Sequence, residues 1–342
     1  MLCSLALAVT LPAKTWTLVC GGDIMLNGIP TKAQPFKEIA AHFRRADLAY
    51  ANLEIPLTTS KDRTPNKSAA AVKARNQFVL KADPGHIANL KTLGLDFASL
   101  GNNHAMDWGA FGLRQTTSLL DKLGVASTGA GENASDAERL AIREAPGGIK
   151  VGMLSYLAFV TPKALSACSP AALSRPGVAT LSFGGTLNTK ATERLSTTIA
   201  AAKKKVGVLL VAVHWGIERQ TVPTRYQIDL AHALVDAGAD VVLGAHPHVL
   251  QGSEVYNGKP IEYSMGNFIS PTPATSAIYR LTFEGAKFVR RERLGIKIAK
   301  GVIKRARVDY SKIDKGLARM TAPKATKKPS VKSRKAQSVS LN

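Results

Sequence analysis

Cysteine is scarce in this chain, and the little present excludes two ways of building a fold. Cys3, Cys20 and Cys168 are the only three among 342 residues, and their spacing fits neither a disulfide framework nor a cysteine-ligated metal. Cys3 and Cys20 read as small buried apolar residues. Long apolar runs are missing too. Beyond the opening MLCSLALAVTLPA no run of 18 apolar residues occurs, so no later stretch is long enough to cross a bilayer as a helix. The opening itself resembles the apolar core of a secretory signal without its basic start. We therefore expect residues 1–14 to be a signal remnant or disordered start, the signal being truncated in this sequence. The expected location is the cell envelope, periplasmic or extracytoplasmic and membrane-associated.

Acidic residues are the third shortage: 24 Asp+Glu stand against 46 Lys+Arg, a formal charge of +22. The imbalance is local. From Lys287 to Asn342 there are 18 Lys+Arg against only Glu292, Asp309 and Asp314. Such an excess points either to a polyanionic partner or to a solvated, disordered tail. Nucleic acid is not the expected polyanion, because the tail lacks interleaved aromatics and no recognition motif is present.

What the chain does have is an ordinary apolar fraction, 45%, and a length that suits one large α/β domain or two smaller ones. Short β-branched and apolar runs alternate with helical patterns. Strands are predicted at Thr15–Cys20, Asp47–Leu53, Phe97–Leu100, 149–157, Val206–Val213, Val241–Ala245 and 261–268. Helices are predicted at Pro35–Arg45, Asp83–Leu93, 109–123, 191–204 and 224–237. Repeated strand–helix alternation gives an α/β fold with a largely parallel sheet. Residues 58–75 read as a polar surface loop, and 160–190, rich in Ser, Pro and Gly, as a long loop or lid. Residues 277–308 alternate in period two, as antiparallel strands with one basic face do. The chain then divides into a folded domain over 15–310 and a basic, disordered tail over 311–342.

Polar, metal-competent residues recur where the predicted strands end: Asp23, Asn52 with Glu54, Asn102-Asn103-His104, His214, and His246 with His248. Singly, each has a plain structural use; Asp23 after Gly-Gly can cap a turn, as can Asn102-Asn103. Together they describe a shared site, because strands of a parallel sheet run in one direction and their C-terminal ends meet at one edge. Carboxylate, amide oxygen and imidazole form a ligand set for Mn, Fe, Zn or Mg. Trp108 and Trp215 flank the candidate histidines as site walls or as core, and Asp107 is placed to orient an imidazole. His42, His86 and His232 fall inside helical patterns and read as structural or exposed.

Six segments together resemble a known family. They are Gly22-Asp23-Ile24-Met25-Leu26, Asn52-Leu53-Glu54-Ile55-Pro56-Leu57-Thr58, Gly101-Asn102-Asn103-His104-Ala105-Met106-Asp107-Trp108-Gly109, His214-Trp215-Gly216, His246-Pro247-His248-Val249 and Ser264-Met265-Gly266-Asn267-Phe268. Their order and spacing over residues 16–270 resemble the CapA-type poly-γ-glutamate capsule-synthesis proteins. That family looks like a branch of the calcineurin-like metallophosphoesterases. The resemblance implies a metallophosphatase-like sandwich of two mainly parallel or mixed sheets flanked by helices. It implies Asp23, Glu54, Asn103, His214 and His246 as ligands of divalent metal, with His104 and His248 as the residues that act on substrate. Asn52, Asn102, Asp107, Trp108, Trp215 and Asn267 would touch substrate or support the ligands. The implied function is accessory to poly-γ-glutamate synthesis or export, on an anionic polymer and beside membrane-bound synthase components. A metal-dependent hydrolase, phosphoesterase or poly-γ-glutamate amidase, is the alternative. Three positions depart from the family patterns: Met25 stands where the first metallophosphoesterase motif has histidine, Glu54 where a bridging aspartate is usual, and Ala245 where capsule proteins usually have histidine.

Overall fold

A computed structural model describes residues 14–159, 162–181 and 189–321. The expected signal remnant and most of the expected tail lie outside those residues. Two mixed sheets pack face to face. The first contains β1 (Thr15–Ile24), β2 (Leu48–Leu53), β3 (Phe97–Ser99), β4 (Ala126–Thr128), β13 (Asn267–Ile269), β14 (Ala274–Glu284), β15 (Lys287–Ala299) and β16 (Val302–Arg305). Its order is β16-β15-β14-β1-β2-β3-β4, with β13 pairing the end of β1. The strands from β1 to β4 run parallel, and β14, β15 and β16 are antiparallel. The second sheet contains β6 (Ala141–Ala145), β7 (Ile149–Ala158), β9 (Val208–Trp215), β10 (Val241–Ala245), β11 (Ser253–Tyr256) and β12 (Lys259–Glu262), in the order β11-β12-β10-β9-β7-β6. A short pair, β5 (Ala130–Gly131) with β8 (Gly177–Val178), stands apart.

The helices are α1 (Ala40–Arg44), α2 (Ala69–Lys73), α3 (Ile87–Leu93), α4 (Gly109–Leu123), α5 (Ala134–Ala137), α6 (Pro162–Ala167), α7 (Thr189–Lys203), α8 (Arg225–Asp236) and α9 (Ser311–Thr321). Period-two alternation along each strand assigns residues to three apolar layers. Leu18 and Cys20 of β1 meet Leu210 of β9 and Leu243 of β10 between the sheets. Val19, one residue out of phase, faces the layer holding Phe43, Leu90, Leu113 and Leu120 from α1, α3 and α4. On the other side, Leu209, Val211 and Val213 of β9 pack on Ile199 of α7 and on Ile228 and Leu234 of α8. The result is a sandwich of two sheets with helices outside both, the architecture that the resemblance implies.

Four local expectations change. The tail expectation is corrected at 311–321, where α9 forms: Arg293 of β15 pairs with Asp314 at 2.8 Å, and Leu317 is buried. Helical order there comes from docking, which the polar local sequence does not announce. The expected loop over 160–190 contains α6 and β8, and the polar stretch 58–75 contains α2, capped by the Ser68 side chain. The helix expected from Pro35 is regular only from Ala40, because the preceding turns place Phe36 on Phe268.

One irregularity aims a functional side chain. Cys20 pairs with Tyr50 and Asp23 with Asn52, so three residues of β1 advance against two of β2. This bulge at Gly21-Gly22 redirects the strand end. A Cβ on Gly22 would sit 1.9 Å from the Gly266 carbonyl oxygen. Backbone cannot yield as a flexible side chain can, so Gly22→Ala is expected to cost about 3 kcal/mol. The urea midpoint checks it, and an unchanged midpoint would refute the close approach.

Candidate metal centre

The C-terminal ends of β1, β2, β9 and β10, with the turn after β3 and the start of β13, come together at one end of the sandwich. Asp23 and Glu54 are fully buried there, and His214 and His246 almost so. Three sets of ligand atoms lie within 4.8 Å of one another: Glu54, His214 and His246; Asp23, Glu54 and His248; and Glu218, His246 and His248. Glu54 belongs to the first two sets. Its carboxylate lies 3.8 Å from His214 Nε2 and 3.6 Å from His248 Nε2.

Whether these residues suit a cation is answered by their unused valences. Both Glu54 carboxylate oxygens and Asn103 Oδ1 are buried without a hydrogen-bond partner among the described residues. A buried carboxylate left this way costs several kcal/mol unless something positive sits against it. His214 Nε2 and His246 Nδ1 face each other at 3.1 Å. Burial first, then neighbouring imidazoles, pushes both histidines well below the usual histidine range. They are therefore neutral near pH 7 and offer lone pairs, as metal ligands must. The donor set fits a divalent cation.

The remaining acidic and basic groups are coupled. Burial raises the Glu54 carboxyl above its ordinary range, with Asp23 and Glu218 adding to the rise and His248 opposing it. Burial works against a charged His248. The Glu54 charge, the Asp23 hydrogen bond and charge, and Glu218 outweigh that and raise it above its ordinary range. His248 Nδ1 lies 3.1 Å from Asp23 Oδ2 and 3.0 Å from Asn267 Oδ1. A cation bound here competes with these protons, so its affinity rises with pH.

Several residues position rather than bind. Asn52 Nδ2 donates to Asp23 Oδ1 at 2.8 Å, and Asn52 Oδ1 accepts from Ser99 Oγ at 2.9 Å. Asn102 is spent on the turn, where its Oδ1 accepts from the His104 and Ala105 amides. His104 Nδ1 donates to Asp107 Oδ2 at 2.6 Å, which leaves Nε2 as its other ring nitrogen. Burial, then the Lys67 charge, lowers the His104 pKa, with Asp107 opposing. Phe159 packs on the His246 ring at 4.7 Å between centroids. His246 and His248 hold φ of 95° and 59°, a left-handed backbone that costs a non-glycine residue about 1–3 kcal/mol and clusters at functional sites.

Sequence reasoning missed two residues. Lys67, inside the supposed surface loop, is buried: its ammonium donates to the carbonyls of Phe78 and Asn103, both at 2.9 Å, and to Asp107. No local signal separates it from the lysines around it. Glu218 follows His214-Trp215-Gly216 closely enough to have been considered. Two other placements differ. Trp215 is no site wall; one residue out of phase with His214, it faces the α8 layer and donates its indole N–H to the Tyr263 carbonyl at 2.9 Å. Trp108 donates to the Leu80 carbonyl at 3.0 Å and stacks under the Lys81 ammonium, clamping the loop ahead of α3. His86, bonded to Ile29 and Asn89, and His232, bonded to Glu254, lie apart from the centre.

A cavity of about 350 Å³ opens onto the centre, walled by Arg75, Phe78, Asn103, His104, Phe159 and Glu218 among others. His246 and Asn103 line it together with the Arg75 and Lys67 cations and the Phe78 and Phe159 rings.

The chain is 31% identical over 255 residues to the PGA biosynthesis protein CapA of Bacillus subtilis, covering 72% of this chain and 61% of that one. It is 29% identical over 235 residues to the capsule biosynthesis protein CapA of Bacillus anthracis, covering 68% of this chain and 53% of that one. It thus spans somewhat more than half the length of these two relatives. In fold it is similar to the crystal structure of a novel phosphatase from Mycoplasma pneumoniae, with a TM-score of 0.54 at 13% identity over 83% of this chain and 94% of that one. Residues 17–272 match the bacterial capsule synthesis protein PGA_cap, a span that holds every residue of the centre, and the chain belongs to that family.

Proposed function

We propose that this protein is an accessory factor of poly-γ-glutamate capsule synthesis or export, working on the anionic polymer at the cell envelope beside membrane-bound synthase components. The observation that carries this reading is the buried Glu54 carboxylate, without a hydrogen-bond partner among the described residues and set among His214, His246, His248 and Asp23, in a chain whose family is capsule synthesis. Glu54, His214, His246 and Asn103 would hold one divalent cation, and Asp23 and His248 would share Glu54 with a second. Bound metal supplies Lewis acidity toward a carbonyl or phosphoryl oxygen and acidifies water. The chain's own contribution is to hold His104 through Asp107, to keep the ligands dry, and to present Arg75 at the cavity rim.

The basic strands supply the second element. Lys297 of β15 and Lys304 of β16 are cross-strand partners, and with Arg305 they are exposed and without an ion pair among the described residues. Like charges directly opposite each other destabilise a sheet; a polymer with one carboxylate per residue relieves that repulsion. Labelled poly-γ-glutamate is expected to bind with affinity falling at least tenfold between 50 and 500 mM NaCl, as screening requires (about 10 Å Debye length at 0.1 M). The Lys297→Gln, Lys304→Gln double variant is expected to bind several-fold more weakly. Fluorescence anisotropy checks both, and undiminished binding at molar salt would overturn the reading. A metal-dependent hydrolase is the second reading, favoured by the cavity that reaches His104 and the ligands; polymer cleavage or phosphoester turnover that requires added metal distinguishes it.

A further inference from the structure

Met25 and Ala245 leave the centre short of two imidazoles that related patterns would supply, yet the floor of the cavity is not short of ligands. Glu218 reaches it from the segment after β9. Its carboxylate lies within 4.8 Å of the ligand nitrogens of His246 and His248. It is exposed on its outer side and makes no ion pair with a lysine or arginine among the described residues.

Its position is built rather than incidental. Gly216, at φ 84°, turns the chain out of β9, where a Cβ would meet the Gln227 side chain at 2.7 Å. Arg219, at φ 62°, donates its amide to the Pro247 carbonyl at 2.8 Å, which ties the segment to the His246-Pro247-His248 loop itself. The Gln251 side-chain amide then donates to the Gln220 carbonyl at 2.8 Å and in turn accepts from Gln227 Nε2 at 2.9 Å. Arg219 and Gln220, the two residues that follow Glu218, are thus fixed to the segment that carries the two histidines. A carboxylate held that way has its ordering cost met by the fold before any cation arrives.

We propose that Glu218 is a ligand of the second, more solvent-accessible divalent cation, which it reaches from its place beside His246 and His248. The inference rests on the metal-centre reading above. A second cation that takes Glu218 in addition to the Asp23 and Glu54 carboxylates would be richer in oxygen donors than the Glu54–His214–His246 position, so it favours Mn²⁺ or Mg²⁺ over Zn²⁺.

The test is Mn²⁺ binding by the full chain, with free Mn²⁺ followed by electron paramagnetic resonance, for the wild type, Glu218→Gln and Glu218→Asp. Glutamine keeps the shape and removes the charge at an exposed position, so the fold is retained. The wild type is expected to bind two Mn²⁺. Glu218→Gln is expected to weaken the looser one at least tenfold and leave the tighter one unchanged, and Glu218→Asp should recover part of the loss. Two sites of unaltered affinity in Glu218→Gln would overturn the assignment while leaving the metal centre standing. No Mn²⁺ on the wild type would remove the metal-centre reading and this inference with it.

Discussion

Glu54→Gln is expected to strip the centre of tightly held metal while leaving the metal-free protein at least as stable as the wild type. Glu54 is the carboxylate shared by two ligand sets, so its loss removes a charged ligand from both positions. Its oxygens have no hydrogen-bond partner among the described residues, and burial already disfavours their charge. The amide therefore surrenders little in the absence of a cation. Metal analysis after reloading with Mn²⁺ and dialysis reads the first effect. Thermal melts with chelator and with excess Mn²⁺ read the second. At a free concentration about 100 times Kd, bound Mn²⁺ stabilises the wild type by about 2.7 kcal/mol, and the variant should show no such shift. Equal Mn²⁺ content in the two proteins would remove Glu54 from the centre.

The second large effect concerns the fold. Glu262, at the end of β12, is fully buried, and the Arg291 guanidinium of β15 reaches it across the sandwich. Arg291 also donates to the Glu254 carbonyl at 2.8 Å, while Glu262 Oε2 has no hydrogen bond among the described residues. Arg291→Met leaves a buried carboxylate without its cation and is expected to cost about 3–5 kcal/mol, the range for breaking one side of a buried pair. The Arg291→Met, Glu262→Met double variant is expected to regain most of that, because two apolar side chains leave no charge to solvate. Urea unfolding of the three proteins measures both. A loss below about 1 kcal/mol in the single variant would show that water reaches Glu262.

Arg291 also shows where a sequence reading of charge goes astray. It and Arg293 sit in the basic alternation of 277–308, yet one neutralises a core carboxylate and the other docks α9 through Asp314. Lys297, Lys304 and Arg305 in the same stretch remain exposed. Composition counts all five alike; the partners of Arg291 and Arg293 come from β12 and α9, which only packing brings near. The same holds for Lys67, whose polar surroundings give no sign that Asp107, 40 residues on, will bury it.

Local sequence was enough to place the strands that carry Asp23, Glu54, His214 and His246, because buried strands ending in glycine or turns are written in nearest neighbours. It was also enough to say that those ends share an edge, since parallel strands have one direction. The family pattern added the roles to expect. Only the tertiary structure decided that the edge spans two sheets, that a bulge at Gly21-Gly22 aims Asp23, and that Trp215 turns away while His214 turns in. It alone brought Glu218 to the histidines. Each of these depends on a one-residue phase or on a contact between distant segments. A single residue's shift along a strand moves a side chain to the opposite face, and composition and motif spacing carry no term for it.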